Sequence, residues 1–496
     1  MSGLTRWRAI ETRRIVRKKI ERIIHTLVAK GMDKVATFNR RRLPTLERPN
    51  PFLNGIHTPM SSEKTLYALR VEGEIPVSLN GRYLRIGPNP IGRTDPKSHH
   101  WFLGDGMTHG IKLEAGKAAW YRNRWVRSTA VSKALNETPI PGPRRGMADN
   151  ANTNIIGHAG RTYALVEAGA WPVELNDELE TIAHNPFDGT LDVSFSAHPH
   201  LDPDTRELHA VCYDASVKHK VWHVVVDSAG KVIRQEAIPV EGGPTIHDCQ
   251  ITQKYVLVFD LPATVSMKKM LAGYPLPFEW NPSRPARVGL CPRAGSAADT
   301  IWCDVDPCYV FHTANAYETE DGEVIVDVVA HDSMYARSNM GPDSKRSCFE
   351  RWTIDPTIKQ VVRKVIHDQN QEFPRYDERL SGKAYRYAYS VGLPSEDYNE
   401  LSIGATTLYK HDLAQSTTET HDFGINRYPG EFVFVARTDD AKEDEGWLVG
   451  FVVDLNDEHS ELVILNAEKF TDHPTARIHI PHRIPPGFHG NWIPVI

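Results

Sequence analysis

The chain lacks any long apolar run, and it has few cysteines for its length. No stretch of about 18 apolar residues occurs among its 496 residues, so no transmembrane helix is predicted. The first residues show no apolar core followed by a small-residue cleavage site, and we therefore expect no secretory signal. Six cysteines are too few for a disulfide scaffold, and the nearest pair, Cys303 and Cys308, fits no zinc motif. These absences indicate a cytoplasmic protein with reduced thiols.

Positive charge is concentrated at the start of the chain, although the whole sequence has a formal net charge of -5. Residues 1–42 hold thirteen Lys or Arg against three acids. From Thr5 to Phe38 there is no proline, and the apolar residues recur at helical spacing. That apolar face consists of Val16, Ile20, Ile23, Ile24, Leu27 and Val28. The pattern predicts a basic amphipathic N-terminal helix with its linker over residues 1–45, separate from a body over residues 46–496.

Two interpretations of this helix stay open at the level of the sequence. A basic amphipathic helix over residues 5–38 would suit an anionic membrane surface, which would make the protein peripheral to a membrane. The same pattern is typical of a helix that packs on its own domain or on a second subunit. No nucleic-acid partner is expected, because no interleaved aromatics or DNA-reading motif accompany the basic residues. The oligomeric state is not predicted.

After about residue 72 the chain consists of short strand patterns separated by turn signals. Strand patterns include 82–86, 161–167, 220–226, 255–260, 323–329, 431–435 and 447–454, and turn signals include Asn80-Gly81, Asp105-Gly106, Asp321-Gly322 and Glu445-Gly446. These features predict an all-β body. About 450 residues are too many for one sandwich, whereas a β-propeller of six to eight four-stranded blades fits the size.

Four histidines stand in separate strand-like contexts: His198, His247, His312 and His489. Imidazole suits iron, zinc, copper and nickel. The inner strands of successive propeller blades line one axis, so one histidine from each of four blades could meet there. Most of the 23 histidines are expected to be surface or core residues, and the sequence by itself does not establish that these four converge. A zinc hydrolase would use three ligands and a catalytic carboxylate, and no His-Glu-x-x-His motif occurs.

Further motifs give these histidines a family context. They include Asn80-Gly-Arg-Tyr-Leu-Arg-Ile-Gly-Pro, Ala151-Asn-Thr-Asn, Leu165-Val-Glu-Ala-Gly, Ala197-His-Pro-His, Ile246-His-Asp, Cys308-Tyr-Val-Phe-His, Gln371-Glu-Phe-Pro-Arg and Gly487-Phe-His-Gly-Asn-Trp. With these motifs in this order, residues 50–496 resemble the carotenoid cleavage oxygenases. That family also contains the lignostilbene dioxygenases and the retinoid isomerase of the visual cycle. The resemblance implies a seven-bladed β-propeller with a helical and loop cap over the metal face.

The resemblance also implies a metal site. One Fe(II) per chain would be held by the catalytic and metal-binding set His198, His247, His312 and His489. Three glutamates would orient ligand imidazoles from outside: Glu167, Glu372 and Glu431. Thr153 would place its methyl group beside the open position of the iron. Outside this context, the glutamates would be interpreted as strand-end surface acids and Thr153 as an ordinary strand residue.

The implied reaction is oxidative cleavage of a carbon–carbon double bond by O2, with two aldehyde or ketone products. The substrate expected from the resemblance is a lipophilic polyene, a carotenoid or an apocarotenoid. Residues 265–278 are rich in apolar side chains beside Lys268 and Lys269, and we expect them near a tunnel mouth in contact with a membrane. A buried cap helix is the alternative for this segment.

Other functions remain open within and beyond this family. Stilbenoid-cleaving relatives use a lysine and a tyrosine to hold a 4-hydroxyl group. The position that matches this lysine is Ala130, and Lys133 lies three residues further on, which argues against stilbenoids. A retinoid isomerase and an inactive propeller that serves as a binding scaffold are further alternatives. The identity of the polyene and the bond that is cut are not predicted.

Overall fold

Strands account for nearly all the regular structure in the computed structural model, which describes residues 31–92, 94–145, 149–394 and 405–495. Three α-helices occur in these ranges: α1 over residues 31–40, α2 over Thr129–Ala134 and α3 over Met267–Ala272. Short 3-10 turns cover Pro51–Leu53, Gly55–His57, Trp101–Leu103, Ala297–Asp299, Glu378–Leu380 and Ala467–Lys469. The predicted all-β class is confirmed. Most of the predicted helix from Thr5 to Phe38 lies outside the described residues, and only its last part coincides with α1.

The strands follow one another in short hairpin-like units. The first part of the chain forms β1 Lys64–Leu66, β2 Val71–Gly73, β3 Gly81–Pro88, β4 Gly106–Glu114, β5 Lys117–Trp125, β6 Asn154–His158, β7 Arg161–Leu165, β8 Val173–Leu175, β9 Thr181–His184, β10 His200–Leu201, β11 Leu208–Cys212, β12 Lys220–Val226 and β13 Val232–Pro239. The middle forms β14 Cys249–Ile251, β15 Tyr255–Asp260, β16 Ala263–Val265, β17 Phe278–Trp280, β18 Arg287–Pro292, β19 Ile301–Asp304, β20 Tyr309–Glu318, β21 Val324–His331, β22 Ser347–Asp355 and β23 Gln360–His367. The last part forms β24 Gln371–Tyr376, β25 Tyr387–Gly392, β26 Thr407–Asp412, β27 Thr417–Asp422, β28 Arg427–Pro429, β29 Val433–Ala436, β30 Gly446–Asp454, β31 His459–Asn466, β32 Ala476–Ile480 and β33 Gly490–Pro494.

These strands pair into sheets whose edge strands lie around a common centre. The sheet orders are β1-β5-β4-β3-β33, β6-β7-β8-β9, β10-β11-β12-β13, β14-β15-β18-β19-β23-β22-β21-β20, β24-β25-β26-β27, β2-β32-β31-β30-β28 with β29 also on β30, and the small pair β16-β17. Edge strands contact in the succession β10, β14, β20, β24, β29, β33 and β6. Asn154 Nδ2 on β6 then donates to the carbonyl oxygen of Ala197, three residues before β10, at 2.7 Å. This arrangement is a propeller-like fold.

The sheets differ from the expected seven separate blades. Strands β14 to β23 form one continuous eight-stranded sheet rather than two sheets. The join is a single parallel pair between Asp304 on β19 and Gln360 on β23. The expected boundary between two blades is therefore bridged at this point in the described residues.

Strands near the two ends of the described chain pair with other strands in two different sheets. Strand β33 pairs antiparallel with β3 over Gly81–Arg85, and β2 pairs antiparallel with β32. A Cβ at Gly487 would lie 2.4 Å from Nε of the buried Arg85, and one at Gly490 would lie 2.8 Å from the hydroxyl of Tyr83. The glycines of the C-terminal motif are thus needed for this close approach, which sets the position of His489.

Helix α1 packs against the end of α3. Asn39 Nδ2 donates to the carbonyl oxygen of Leu271 at 2.8 Å, although 232 residues separate them. Gly273 ends α3 with φ 85°, and a Cβ there would lie 2.7 Å from the carbonyl oxygen of Ala36. Both segments that were predicted to meet a membrane therefore lie side by side in their described parts. No helix among the described residues is both long and apolar enough to cross a membrane.

Candidate metal centre

Four imidazoles converge at the centre of the ring of edge strands. One ring nitrogen from each of His198, His247, His312 and His489 lies within 4.8 Å of the others. Nε2 of His247 lies 3.0 Å from Nε2 of His198 and 3.2 Å from Nε2 of His312. The ring centroids of His198 and His489 are 4.5 Å apart. The structure therefore brings together all four histidines that the sequence singles out.

Three of these histidines directly precede edge strands, and the fourth lies within one. His312 lies within β20, whereas His198, His247 and His489 each come one or two residues before β10, β14 and β33. The strand-like contexts expected for all four thus apply strictly to one of them. A position just outside the hydrogen-bonded ladder leaves the side chain free to turn inward.

Each of the three predicted glutamates contacts the outer nitrogen of one imidazole. Nδ1 of His247 lies 2.8 Å from Glu167, Nδ1 of His312 lies 2.5 Å from Glu372, and Nδ1 of His489 lies 3.0 Å from Glu431. A carboxylate only accepts hydrogen bonds, so each Nδ1 carries the proton. The tautomer in which Nε2 presents its lone pair to the centre is thereby fixed.

At the centre, burial and neighbouring charges shift the pKa values of His312 and Glu431 in opposite directions. Burial and the neighbouring imidazoles hold the pKa of His198 well below its ordinary value. Burial also lowers the pKa of His312, but the charge and hydrogen bond of Glu372 more than offset this, and its pKa is raised. Burial raises the pKa of Glu431, yet Arg375 and His489 outweigh it, and its pKa is lowered. The carboxylate of Glu431 is therefore ionised next to its histidine.

The backbone is unusual at the residues that carry this arrangement. The pairing of β20 with β21 shifts register on either side of Thr313, next to His312. Phe373, which follows Glu372, has φ 54°, and its N–H donates to the Glu372 carboxylate at 2.7 Å. Its ring stacks on that of His312 with centroids 5.3 Å apart. Bulges and left-handed residues of this kind are common beside functional sites.

The donor set fits a transition-metal ion. With their protons on Nδ1, His247 and His312 face each other through two Nε2 lone pairs only 3.2 Å apart, which is unfavourable without a cation between them. Two nitrogens about 2.1 Å from one ion and at a right angle would be roughly 3.0 Å apart. Imidazole nitrogen is a good ligand for iron, zinc, copper and nickel. The four histidines could therefore hold one such ion.

Thr153 lies next to this centre through its backbone. Its N–H donates to the carbonyl oxygen of Leu165 at 3.0 Å, and its own carbonyl oxygen accepts from the N–H of His489 at 3.2 Å. Its hydroxyl donates to Oδ1 of Asn152 at 3.0 Å. Thr153 therefore contacts the segment of one central histidine.

Asp248 is a functional candidate that sequence reasoning missed. Its Oδ1 accepts from Nε2 of His200 at 2.9 Å, and its Oδ2 accepts from the N–H and hydroxyl of Thr313 at 2.8 and 2.9 Å. This one buried carboxylate thereby joins the chain segments of His198, His247 and His312. The signal was the Asp that directly follows His247 in the Ile-His-Asp motif.

Two further residues around the centre were also missed. His331 donates from Nε2 to Glu372 at 2.8 Å, so this glutamate is shared by two imidazoles. The ring of Phe311 stands edge-on to His247, with centroids 5.2 Å apart. Phe311 lies in the Cys308-Tyr-Val-Phe-His motif directly before His312, whereas His331 carries no sequence signal that separates it from an ordinary core residue.

An aromatic row leads from the centre toward the segment after α3. From Phe311 it continues to Tyr309, Tyr335 and Phe278, with successive centroid distances of 4.9, 6.3 and 5.1 Å. Phe278 lies on β17. Lys133, the one lysine considered for holding a stilbenoid hydroxyl, is exposed on α2. The row thus consists of two phenyl rings and two phenol rings, and Lys133 is not part of it.

Known proteins match both the sequence and the fold. The family model described as "Retinal pigment epithelial membrane protein" matches residues 57–494. A carotenoid cleavage oxygenase of Mycobacterium tuberculosis is 41% identical over 497 residues, which cover 90% of this chain and 98% of the relative. The crystal structure of a cobalt-substituted apocarotenoid oxygenase from Synechocystis has a TM-score of 0.79 and 27% identity, and the match covers 88% of this chain and 97% of that one. A lignostilbene dioxygenase of Pseudomonas brassicacearum has a TM-score of 0.80 and 27% identity over 91% and 100% of the two chains.

The propeller-like fold and the four converging histidines define a protein with a candidate metal centre at the middle of its sheets. The chain belongs to the family whose model matches residues 57–494, the family of the carotenoid cleavage oxygenases. It is an enzyme, an oxygenase of that class. The resemblance predicted from the sequence motifs is thereby confirmed.

Proposed function

We propose that this protein is a non-haem Fe(II) dioxygenase that cleaves one carbon–carbon double bond of a carotenoid or apocarotenoid. The observation that carries the proposal is the set of four converging imidazole nitrogens with carboxylates only on the outer side. One alkene and one O2 give two carbonyl products, so atoms balance without an organic reductant. No side chain is needed as a nucleophile.

His198, His247, His312 and His489 would hold one iron per chain, and the bound iron would supply the activation of O2. Glu167, Glu372 and Glu431 keep the outer N–H groups of three imidazoles in place, and their charge partly balances that of a dication. We assign Thr153 to the rim of the open position, because its carbonyl oxygen accepts from the His489 N–H. The aromatic rings nearby keep water from the reacting bond.

We further propose a seven-bladed propeller over residues 46–496. Strands β14 and β20 are the two edges of the eight-stranded sheet, and yet they contact each other near the centre. A sheet with adjacent inner edges corresponds to two neighbouring blades that are bridged at the single pair Asp304–Gln360. Residues 1–45 form the separate N-terminal segment in this proposal, and the turns around Trp101 together with α3 belong to the cap.

A membrane-dissolved polyene fits the side of the centre that the aromatic row occupies. The row from Phe311 to Phe278 ends beside α3, where Lys268 is exposed and Met270 and Leu271 are half-buried. Helix α1 adjoins α3 through Asn39. We propose that residues 265–278 and the basic N-terminal segment contact a membrane surface peripherally and that the substrate enters there.

Stilbenoid cleavage is the second candidate, and it is favoured by the similarity to the Pseudomonas brassicacearum lignostilbene dioxygenase. The exposed position of Lys133 argues against it, because an exposed ammonium cannot hold a phenolic hydroxyl in a dry site. The two candidates differ in what must be recognised: an apolar chain needs only shape, whereas a phenol needs a polar partner.

The experiment that tests the proposal is anaerobic reconstitution with Fe(II), followed by exposure in air to an apocarotenal and to a 4-hydroxystilbene. Products are identified by mass. We expect two carbonyl products from the polyene and none from the stilbene. Cleavage of the stilbene alone would overturn the substrate proposal, and a Lys133→Ala variant would then show whether that lysine recognises the phenol.

The membrane contact can be tested separately by removing residues 1–30, which leaves α1 and its contact with α3. We expect weaker sedimentation with anionic liposomes, because the removed segment carries nine of the thirteen Lys and Arg residues of positions 1–42. Turnover of detergent-dispersed substrate should stay unchanged. Equal liposome binding by the truncated and full-length proteins would contradict a membrane role of this segment.

A further inference from the structure

A second group of potential metal ligands lies away from the central histidines, on the sheet that contains β31 and β32. It consists of His459, Glu461 and His479, whose ligand atoms lie within 4.8 Å of one another. His459 and Glu461 are two residues apart on β31, and Glu461 pairs directly with His479 on β32. Because side chains alternate along a strand, all three project from the same face of the sheet.

The distances within this group match those around a tetrahedral ion. Nε2 of His459 lies 3.2 Å from Oε1 of Glu461, and Nδ1 of His479 lies 3.3 Å from the same oxygen. Two ligand atoms about 2.0–2.1 Å from a tetrahedral zinc ion are roughly 3.3 Å apart. Two imidazoles and one carboxylate form a known zinc ligand set that leaves a fourth position for water.

Neighbouring charges hold these ligands in the orientation that a metal requires. Oε2 of Glu461 accepts from Arg427 at 2.5 Å, which leaves Oε1 to face the two imidazoles. Nε2 of His479 lies 3.3 Å from Oε1 of Glu72, which in turn pairs with Arg70. Glu72 thus lies within ion-pair distance of the outer nitrogen of His479 and places negative charge behind this ligand.

The site is accessible while its carboxylate is not. The side chains of His459 and His479 are 16% and 17% exposed, whereas that of Glu461 is 2% exposed. An ion could therefore reach the group from solvent and neutralise a buried carboxylate. Such a site differs from an accidental pair of surface histidines, because the sheet register fixes all three ligands before an ion arrives.

We infer that His459, Glu461 and His479 form a second metal site for a zinc-type divalent cation. Glu72 is the outer partner of His479 in this site. The site lies where β2, from the beginning of the described body, pairs with β32, from its end. A bound ion would link β31 to β32 directly and β2 through Glu72. Its role is therefore to stabilise the closure of the ring rather than to take part in the reaction.

The test is equilibrium dialysis of the full-length protein against Zn2+, with the metal counted by elemental analysis. To separate this site from the central one, the starting protein carries His198→Ala, His247→Ala and His312→Ala, because the three central imidazoles left by a single substitution could still bind Zn2+. We expect it to bind Zn2+ and to unfold at a higher temperature when Zn2+ is present. His459→Asn and His479→Asn in that background should abolish both effects, and Glu72→Gln should weaken binding by about 10- to 100-fold.

The matched control is His473→Asn, since His473 is an exposed histidine in the segment that connects β31 to β32. It should bind Zn2+ as before. Retained Zn2+ binding in both ligand variants would overturn the inference, as would the absence of Zn2+ binding in the starting protein. If a variant fails to fold, anomalous scattering at the zinc edge from crystals of the unaltered protein decides the matter: a peak among the three side chains is expected, and its absence contradicts the site.

Discussion

The central histidines depend on residues that are not ligands themselves. Three imidazoles have their own carboxylates, but Asp248 connects the segments of three of the four. The Asp248 carboxylate accepts four hydrogen bonds. The donors are His200, the N–H of Cys249, and the N–H and hydroxyl of Thr313. An ionised carboxylate suits such a site, because it has acceptors only.

We predict that Asp248→Asn weakens iron binding by about tenfold. The substitution replaces one carboxylate oxygen with an NH2 group, which would face the N–H of either Thr313 or Cys249. Two donors then face each other, and the buried N–H left unpaired costs about 1–3 kcal/mol. Chelator competition measures the affinity.

The control is Asp327→Asn, which removes a buried carboxylate that pairs with Arg351 and Tyr385 away from the centre. It should lower stability and leave iron affinity unchanged. If the two variants have equal iron affinities, Asp248 has no specific role at the centre.

At this scale the sequence predicts the side chains with a motif around them, and it misses those whose partners are distant. His198, His247, His312 and His489 and their three glutamates lie in recognisable motifs. Asp248 also lies in one, but its role depends on Thr313, 65 residues further along the chain. His331 has no motif at all, and only the fold brings it to Glu372.

Among the elements, strands are predictable from alternation and turns, whereas contacts between helices are not. Strand patterns such as 255–260 and 447–454 coincide with β15 and most of β30. The contact of α1 with α3 joins Asn39 to Leu271, and neither helix shows which surface it will meet. Periodicity gives the apolar face of a helix but not its partner.

We predict that Gly273→Ala detaches α1 from the body. Its φ of 85° disfavours any residue with a Cβ, and that Cβ would meet the backbone of Ala36 and Arg40. The cost should exceed about 1 kcal/mol, and trypsin should then cleave faster around Arg40–Arg42.

The matched control is Gly160→Ala, where φ is +73° but no atom lies within 4 Å of the added Cβ. It carries the backbone strain without the collision. Equal trypsin sensitivity of the two variants would mean that the contact between α1 and α3 is not what protects the linker.

The whole molecule contains several buried histidines that resist protonation. Burial lowers the pKa to about 3 in each of His57, His100, His209 and His411. Between the ordinary pKa of 6.5 and about 3, the folded protein therefore binds fewer protons than the unfolded chain. The free energy of unfolding should therefore decrease as the pH is lowered from 6.5 to about 3. The decrease is up to about 1.4 kcal/mol per pH unit for each such histidine.

We predict that His57→Phe makes the stability less sensitive to pH below 6.5. The ring of His57 packs edge-on against Phe52 and Trp101, a setting that an apolar ring can share. Urea unfolding at pH 7, 6 and 5 measures the slope. His219→Gln, at an exposed position, should leave the slope as it is; an unchanged slope in His57→Phe would show that this histidine does not stay neutral in the folded protein.

The ring as a whole was only partly predictable. Composition and strand spacing predict a large all-β body, and the family motifs predict a propeller. Backbone hydrogen bonds between distant strands form the bridge between Asp304 and Gln360. They also form the two strand pairings, β2 with β32 and β3 with β33, that hold the chain ends. Such bonds involve groups that every residue has, so the sequence carries little sign of them.

The most direct test of the account is the iron content of the reconstituted protein and of its His312→Ala variant. The account predicts about one iron per chain in the unaltered protein. It also predicts loss of iron and of polyene cleavage in the variant, with an unchanged far-ultraviolet circular dichroism spectrum. A folded His312→Ala protein that retains iron and turnover would contradict the four-histidine centre.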